Sequence, residues 1–210
     1  SKIIIKLMRI NNSYLKYASE GLKNNEEFVL KAVERDGLIL EHVSKNLKKN
    51  RKIVLAAVKR NGYSLAYASE ELKNDTEIVF EAVKIFGGAL EYASEDLKNN
   101  RKFILEVVKR NSTTLPHASE GLKNDKEIVL EAVKQNGLLL KCASKNLQND
   151  REIVLEAVKE TGYALEYASE ELKKNRKIVL EAVKQDSNSL EYASDNLKKD
   201  REIVLAAPYY

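Results

Sequence analysis

One short period, held without a single insertion or deletion, constrains this chain more than any other feature. Leucine recurs at Leu15, Leu40, Leu65, Leu90, Leu115, Leu140, Leu165 and Leu190, and each has a second leucine seven positions further on, from Leu22 to Leu197. Serine keeps the same step from Ser19 to Ser194, and an Asn or Asp keeps it from Asn25 to Asp200. A period this short describes one supersecondary piece that cannot close its own core, so neighbouring copies must complete it. The register divides the chain into a half repeat, 1–12, seven full repeats, 13–37, 38–62, 63–87, 88–112, 113–137, 138–162 and 163–187, and a terminal repeat, 188–210. No linker or composition shift interrupts them, so 1–210 reads as a single repeat domain.

Each unit reads as two helices. In DREIVLEAVK, Asp150 is an N-cap whose side chain accepts backbone N–H groups of the first turn. Ile153, Val154, Leu155, Ala157 and Val158 cover a broad arc of the helical wheel, so this helix touches neighbours on several sides. Gly162 is expected to stop it in the left-handed conformation that glycine adopts cheaply. The shorter helix is LxYASxxLK, with Leu165, Ala168 and Leu172 on one face. Pro116 is expected near its start, where proline is tolerated. The expectation is therefore an all-α chain: an α-solenoid of about eight two-helix repeats in a right- or left-handed superhelix. At about 8–10 Å between packed helices, eight units span about 80 Å.

The 36 basic and 32 acidic residues leave a net charge of +4, a mixed surface unlike the one-signed surface of a dedicated nucleic-acid binder. No apolar run approaches the roughly 20 residues of a membrane span, and no secretory leader is legible. The lone Cys142 rules out an intrachain disulfide and favours a reducing, cytoplasmic compartment.

Leu-x-Tyr-Ala-Ser at 65–69, 90–94, 165–169 and 190–194, Leu-Lys-Asn-Asp at 122–125 and Ile-Val-Leu-Glu-Ala-Val-Lys at 128–134 carry a resemblance. Over essentially its whole length the chain resembles the repeats of domain of unknown function 4116, and more distantly the leucine-rich variant repeat. That resemblance implies tandem helical repeats, often within larger multidomain proteins, with no catalytic residues to carry over.

The candidate sites fall into columns. The recurring serines have no recurring base beside them, since His42 and His117 are the only histidines. They read as local caps or backbone partners rather than nucleophiles. The column Tyr17, His42, Tyr67, Tyr92, His117, Cys142, Tyr167 and Tyr192 offers a ladder of aromatic anchors for a partner. The competing reading packs these rings between neighbouring short helices. Lys23, Lys48, Lys73, Lys98, Lys123, Lys173 and Lys198 form a basic row, as do Arg51, Arg101, Arg151, Arg176 and Arg201. Glutamates three positions before the lysines favour a solvated face over a phosphate track. The acidic row Glu81, Glu106, Glu131, Glu156 and Glu181 lies on the polar arc and lacks the burial that acid–base catalysis requires. No spacing matches a metal motif, and no cofactor is implied. Ile85–Phe86 departs from its column, either as a contact spot or, the favoured reading, as a ring folded back into the core by Gly87–Gly88.

Residues 1–11 read as a long helix with no short partner before it, and Pro208 replaces a usual valine near the other end. Neither end carries a polar capping unit, so a longer array or end-to-end association of copies is expected. The first functional reading is a non-catalytic scaffold for a protein or peptide partner. The second is a structural spacer, discriminated by burial of the tyrosine column. Nucleic-acid binding ranks third, and catalysis, with no candidate residue, last.

Overall fold

The long helix of each repeat starts where the sequence places it. In a computed structural model of the protein, which describes residues 12–208, Asn50 Oδ1 accepts the Ile53 N–H and precedes the helix Arg51–Arg60. Asp75 caps Thr76–Ile85, Asp150 caps Arg151–Glu160 and Asn175 caps Arg176–Gln185, each accepting two N–H groups of the first turn. Such caps contribute about 1 kcal/mol apiece. These helices each bury the same four apolar columns, such as Ile53, Val54, Ala57 and Val58, none of which retains any exposure. Complete burial of one Val or Ile is worth about 1.5–3 kcal/mol, so these rows dominate the core. All regular structure among the described residues is helical. The chain is an all-α repeat solenoid arranged as two compact units, Ser1–Phe103 and Ile104–Tyr210. The expected helix over 1–11 lies outside the described residues.

The second half of each repeat differs from the expected single short helix. Gly62–Tyr67 and Gly162–Tyr167 are six-residue 3₁₀ helices. Ala68 and Ala168 then extend the chain, with ψ of 160° and 156°. A separate single turn follows, as at Leu72–Asn74 or Glu95–Lys98. Leu165, Ala168 and Leu172 are buried as expected, yet a break in the helix brings them together rather than one helical face. Their spacing in the sequence is satisfied equally by two short turns. Pro116 occupies the fifth place of the 3₁₀ helix Ser112–His117 and does not mark its start. Its missing N–H costs one bond at the end of a short turn, just before the chain straightens.

The glycine at the junction has a different role from the one its position suggests. No described glycine adopts positive φ. The helix Arg151–Glu160 ends instead through Thr161, which is extended at φ −144° and ψ 106°. Glycine is needed for space: a Cβ on Gly37, Gly62, Gly137 or Gly162 would collide with the carbonyl oxygen of Ala57, Ala82, Ala157 or Ala182 in the next repeat. The glycine lets two backbones approach where any side chain would hold them apart. Where the column carries Ser112, the long helix holding the facing Ala132 runs only from Lys126 to Val133, shorter than Arg51–Arg60. There the Ala132 carbonyl accepts both the Gln135 and Asn136 N–H groups, whereas the Ala57 carbonyl closes one bond to Asn61. The tightened last turn accommodates the extra side chain.

The two units also share a pattern longer than the single repeat. Gly21, Lys45, Glu71, Leu38 and Tyr63 return at Gly121, Lys145, Glu171, Leu138 and Tyr163, an offset of four repeats.

Substitution at the close approach is expected to separate space from flexibility. Gly62→Ala should lower stability by about 1–3 kcal/mol through overpacking. Gly21→Ala, whose added methyl would meet nothing within 4 Å, should raise it by about 0.5–1 kcal/mol. Leu97→Ala, at a side chain only 4% exposed, should cost about 2–5 kcal/mol. Urea unfolding of the three variants beside the native chain checks all three.

Candidate interaction surface

The recurring serine joins one repeat to the next. Its backbone N–H donates to a carbonyl of the preceding repeat, as in Ser44 to Lys23 at 3.1 Å, Ser94 to Lys73 at 3.0 Å and Ser194 to Lys173 at 3.1 Å. Its hydroxyl accepts an N–H of the single turn that follows and so caps it, as in Leu97 to Ser94 at 3.2 Å. The same hydroxyl donates to an asparagine of the preceding repeat: Ser44 to Asn24 at 2.6 Å, with Ser94 to Asn74, Ser144 to Asn124 and Ser169 to Asn149 alike. A hydroxyl held between an amide and a cap is a structural clasp, which accounts for its recurrence without a catalytic base. At Ser69 the clasp is incomplete. Lys49 stands in the asparagine column, and the buried Ser69 hydroxyl has no partner.

The clasp floors a shallow groove that returns with the repeat. One instance, of about 550 Å³, is lined by Glu20, Gly21, Asn24, Ser44, Lys45 and Asn46. Another, of about 680 Å³, is lined among others by Lys145, Asn149, Tyr167, Ser169, Glu170 and Glu171. A third, of about 820 Å³, carries Lys174, Tyr192, Ser194, Asp195 and Asn196. In the second and third of these the tyrosine column forms one wall, through Tyr167 and Tyr192. Tyr17 is exposed, whereas His42, Tyr67, Tyr92, His117, Cys142, Tyr167 and Tyr192 are half-buried. Rings meet within a repeat, as in Tyr14–Tyr17 and Tyr63–Tyr67, and more closely on the diagonal between repeats, in each case through a residue outside that column. Tyr63 packs edge-on against Tyr92 at 5.1 Å between centroids, and Tyr163 against Tyr192 at 4.9 Å. A hydrogen bond to Tyr63 pushes the Tyr92 phenol up to about 12. Sequence reasoning does not single out Tyr63 and Tyr163. Their column also holds Leu38, Gly88 and Asn188, so only the four-repeat offset marks them.

The lysine row lines the same face, but its stems are not freely solvated. Lys23, Lys73, Lys98, Lys123 and Lys173 have side chains only 17–19% exposed and pair with Glu20, Glu70, Glu95, Glu120 and Glu170. Such side chains bury their methylenes while the ammonium reaches a carboxylate. The pattern changes where the glutamate is replaced by lysine. In the second unit Lys145 donates to Gln148, whose amide reaches the Leu140 and Lys141 carbonyls. In the first unit Lys45 is followed by Lys48, which donates to the Glu41 carbonyl at 2.7 Å and sits 5.9 Å from the Tyr67 ring centroid. Burial lowers the Lys48 pKa.

Several of the helix-start cations are engaged between repeats. Arg51 pairs with Asp75 at 2.9 Å and with Glu77, Lys126 with Asp150 and Glu152, and Arg176 with Asp200 and Glu202. Each cation thus binds the N-cap carboxylate of the following helix, which leaves it poorly placed to follow a phosphate backbone. Glu81, Glu156 and Glu181 of the acidic row are half-buried against Lys84, Lys159 and Lys184.

Ile85 and Phe86 are 55% and 46% exposed, so the expected return of Phe86 to the core does not occur. Ala89 and Leu90 already fill the core beneath, fully buried. The Phe86 ring instead lies from outside over Gly88, in space that a Cβ would occupy. Among the described residues no three His, Cys, Asp or Glu side chains gather as metal ligands. No described helix is long and apolar enough to cross a membrane.

This architecture is that of tandem α-helical repeats clasped by polar side chains. The family model for Domain of unknown function (DUF4116) matches residues 1–48, 50–98, 77–123, 100–148, 125–173 and 175–207, so the chain belongs to that family. Most of these matches span about two repeats. No curated protein and no solved structure matches it.

Two outcomes follow from the clasps. Lys49→Asn supplies the absent partner of Ser69 and should raise stability by about 0.5–1.5 kcal/mol, measured by urea unfolding. The second concerns acid. Partial burial pushes Asp75 and Asp150 up, but their cationic partners and first-turn N–H groups outweigh it and hold both below the usual carboxylate pKa. The Ile203 N–H and Arg176 do the same for Asp200. A depressed folded pKa gives stability that is present above the ordinary carboxylate value and lost as pH falls through the folded one. From about pH 5 toward pH 2 the urea midpoint of the native chain should therefore fall more steeply than that of an Asp75→Asn, Asp150→Asn, Asp200→Asn variant.

Proposed function

We propose that the protein is a non-catalytic scaffold that binds a protein or peptide through the tyrosine-bearing faces of its units, Tyr67 and Tyr92 in the first and Tyr167 and Tyr192 in the second. The observation that carries this reading is the recurrence of one groove at the serine clasp, walled in the second unit by the half-buried Tyr167 and Tyr192. Repeat arrays present such surfaces as extended, pre-formed sites, and tyrosine offers contact area at little entropic cost. Tyr63 and Tyr163 extend the aromatic area, each about two-fifths exposed. The half-burial of the column also favours a second reading, a spacer whose rings set the angle between repeats. Nucleic-acid binding is less well supported, because Arg51, Lys126 and Arg176 already hold carboxylates.

The experiment is affinity capture from lysate of the source cells. Each captured protein is then purified and its binding measured directly by calorimetry. The native chain is compared with a Tyr67→Ala, Tyr92→Ala, Tyr167→Ala variant whose helicity is verified by circular dichroism. A scaffold rebinds its purified partner and weakens about thirtyfold in the variant, as expected for anchors worth about 2 kcal/mol. A partner bound equally by both chains rejects this face. Absence of any directly binding partner favours the spacer.

A further inference from the structure

Within the first unit, the junctions after three successive long helices lie side by side. Arg60 Nε donates to the Arg35 carbonyl at 3.1 Å. A Cβ on Gly37 would stand 3.1 Å from the Asn61 nitrogen, and one on Gly62 would stand 3.0 Å from the Phe86 Cβ. Leu38, Tyr63, Ile85 and Phe86 therefore share one corner of the surface, with exposures of 39%, 40%, 55% and 46%. Scattered apolar residues on a surface need no explanation, whereas a contiguous group of large ones marks a contact site.

This corner also departs from a local rule kept at five other junctions. Asp36, Asn61, Asn111, Asn136 and Asp186 each accept an N–H of the following 3₁₀ helix and so cap it. Phe86 stands in that column and makes no cap. Thr161 makes none either, but it is a small polar residue and leaves no apolar surface behind. The second unit, four repeats after Ile85–Phe86, has Gln185–Asp186 at the same place, with the cap made. Ile85 likewise replaces a polar residue: Arg60 and Gln135 of its column reach a carbonyl of the preceding repeat, to Arg35 and Val108 respectively. The first unit thus gives up a cap and a clasp and exposes two large apolar side chains. A departure with no structural compensation is of the kind expected at functional sites.

The charge around the corner is basic. Arg35, Lys59 and Arg60 have no carboxylate partner among the described residues, and Lys84 precedes Ile85. Of the carboxylates nearby, Asp36 is engaged as a cap, Glu81 is paired with Lys84 and Glu34 stands beside Arg35, so four cations outnumber three carboxylates. Basic residues are well placed at helix C-termini, where the backbone dipole is negative, and here they rim the apolar centre.

We propose that the Ile85–Phe86 corner docks an acidic segment of another protein, one that presents apolar side chains to Ile85, Phe86, Leu38 and Tyr63 and carboxylates to Arg35, Lys59 and Arg60. An apolar centre with a charged rim is the arrangement expected of a specific interface, and the basic rim selects the sign of the partner. The site borders the tyrosine groove through Tyr63, and the substitutions that test it leave Tyr63, Tyr67, Tyr92 and Tyr167 in place.

Fluorescence anisotropy with defined probes tests it. Three fluorescein-labelled amphipathic peptides are used: leucine and phenylalanine on one face with glutamate elsewhere, the same face with lysine elsewhere, and glutamate with serine in place of the apolar residues. The native chain should bind the first at least about tenfold more tightly than either of the others. The variant Ile85→Gln, Phe86→Asp takes the residues of the second unit and regains a cap, so it should melt no lower than the native chain and lose about tenfold in affinity. Arg35→Glu, Lys59→Glu should weaken the acidic peptide and shift preference toward the lysine peptide. Equal binding by native and Ile85→Gln, Phe86→Asp chains, preference of the native chain for the lysine peptide, or no binding at all overturns the proposal. Sedimentation velocity covers one more outcome: if the native chain self-associates and that variant does not, the occupant is a second copy and the proposal fails.

Discussion

Within each unit, successive repeats are held at one spacing by a main-chain hydrogen bond: the serine N–H of one repeat to the lysine or glutamine carbonyl of the repeat before it, as in Ser69 to Lys48 and Ser169 to Gln148. Short of proline at the serine, no side-chain change can remove it, and it forms only if the chain straightens at the residue just before the serine. That requirement breaks the short helix into two turns. It also sets the serine hydroxyl where it can cap the second turn and reach the asparagine of the repeat before. On the other side of each repeat the same spacing presses a glycine Cα against an alanine carbonyl. A net contribution of about 1 kcal/mol per bond is modest, but the bond recurs in register and is reinforced by the burial of two helix faces. The array therefore behaves as a chain of nearest-neighbour couplings.

Much of this was legible in the sequence, because the period is a statement about neighbours. The N-caps, the buried faces of the long helices and the Glu–Lys pairs of the single turns follow from local chemistry that acts within about one helical turn. The break after Tyr67 or Tyr167 was not legible. Leu, Ala and Leu at those intervals suit one helix or two turns equally, and the deciding bond reaches back into another repeat, from Ser69 to Lys48 or from Ser169 to Gln148. The junction glycine misled for a related reason. A glycine after a helix usually signals a left-handed cap. The contact that demands it here is made by the long helix of the next repeat, as where Gly162 meets the Ala182 carbonyl. Phe86 reads as core because Gly87–Gly88 relaxes the turn that would fold it back. Its exposure depends on Ala89 and Leu90 already filling the space beneath it.

The four-repeat offset changes the meaning of variation along the columns. Read repeat by repeat, Lys45 and Lys145 are exceptions to a glutamate column. Read across the two units, they are one position with two accommodations. Gln148 accepts a hydrogen bond from the lysine in one unit, while Lys48 turns to a backbone carbonyl and the Tyr67 ring in the other. Tyr63 and Tyr163 obey the same longer period and make the same edge-on contact. Positions that agree across it describe what both units require, and those that disagree describe what distinguishes them. His42 against Cys142 is a modest disagreement, since both are half-buried. Ile85–Phe86 against Gln185–Asp186 is a large one, because it exchanges a satisfied cap for exposed apolar surface.

Repetition also bears on how such a surface recognises anything. Association is opposed by the loss of side-chain and loop freedom at the interface. Here the groove walls are already ordered: the lysine stems are pinned by glutamates, the serines by asparagines and backbone N–H groups, and Tyr92 and Tyr192 by rings of the neighbouring repeat. A partner meeting this face would order little beyond itself. The same pinning leaves few polar groups free to discriminate, so a face of this kind favours breadth of contact over fine selection. Selection then falls to positions where the repeat departs from itself. Lys48, held by the Glu41 carbonyl beside Tyr67 in place of the usual glutamate pair, is one such departure, and the uncapped Phe86 with its basic rim is the larger. A repeat array gains specificity at the few residues that break its own pattern.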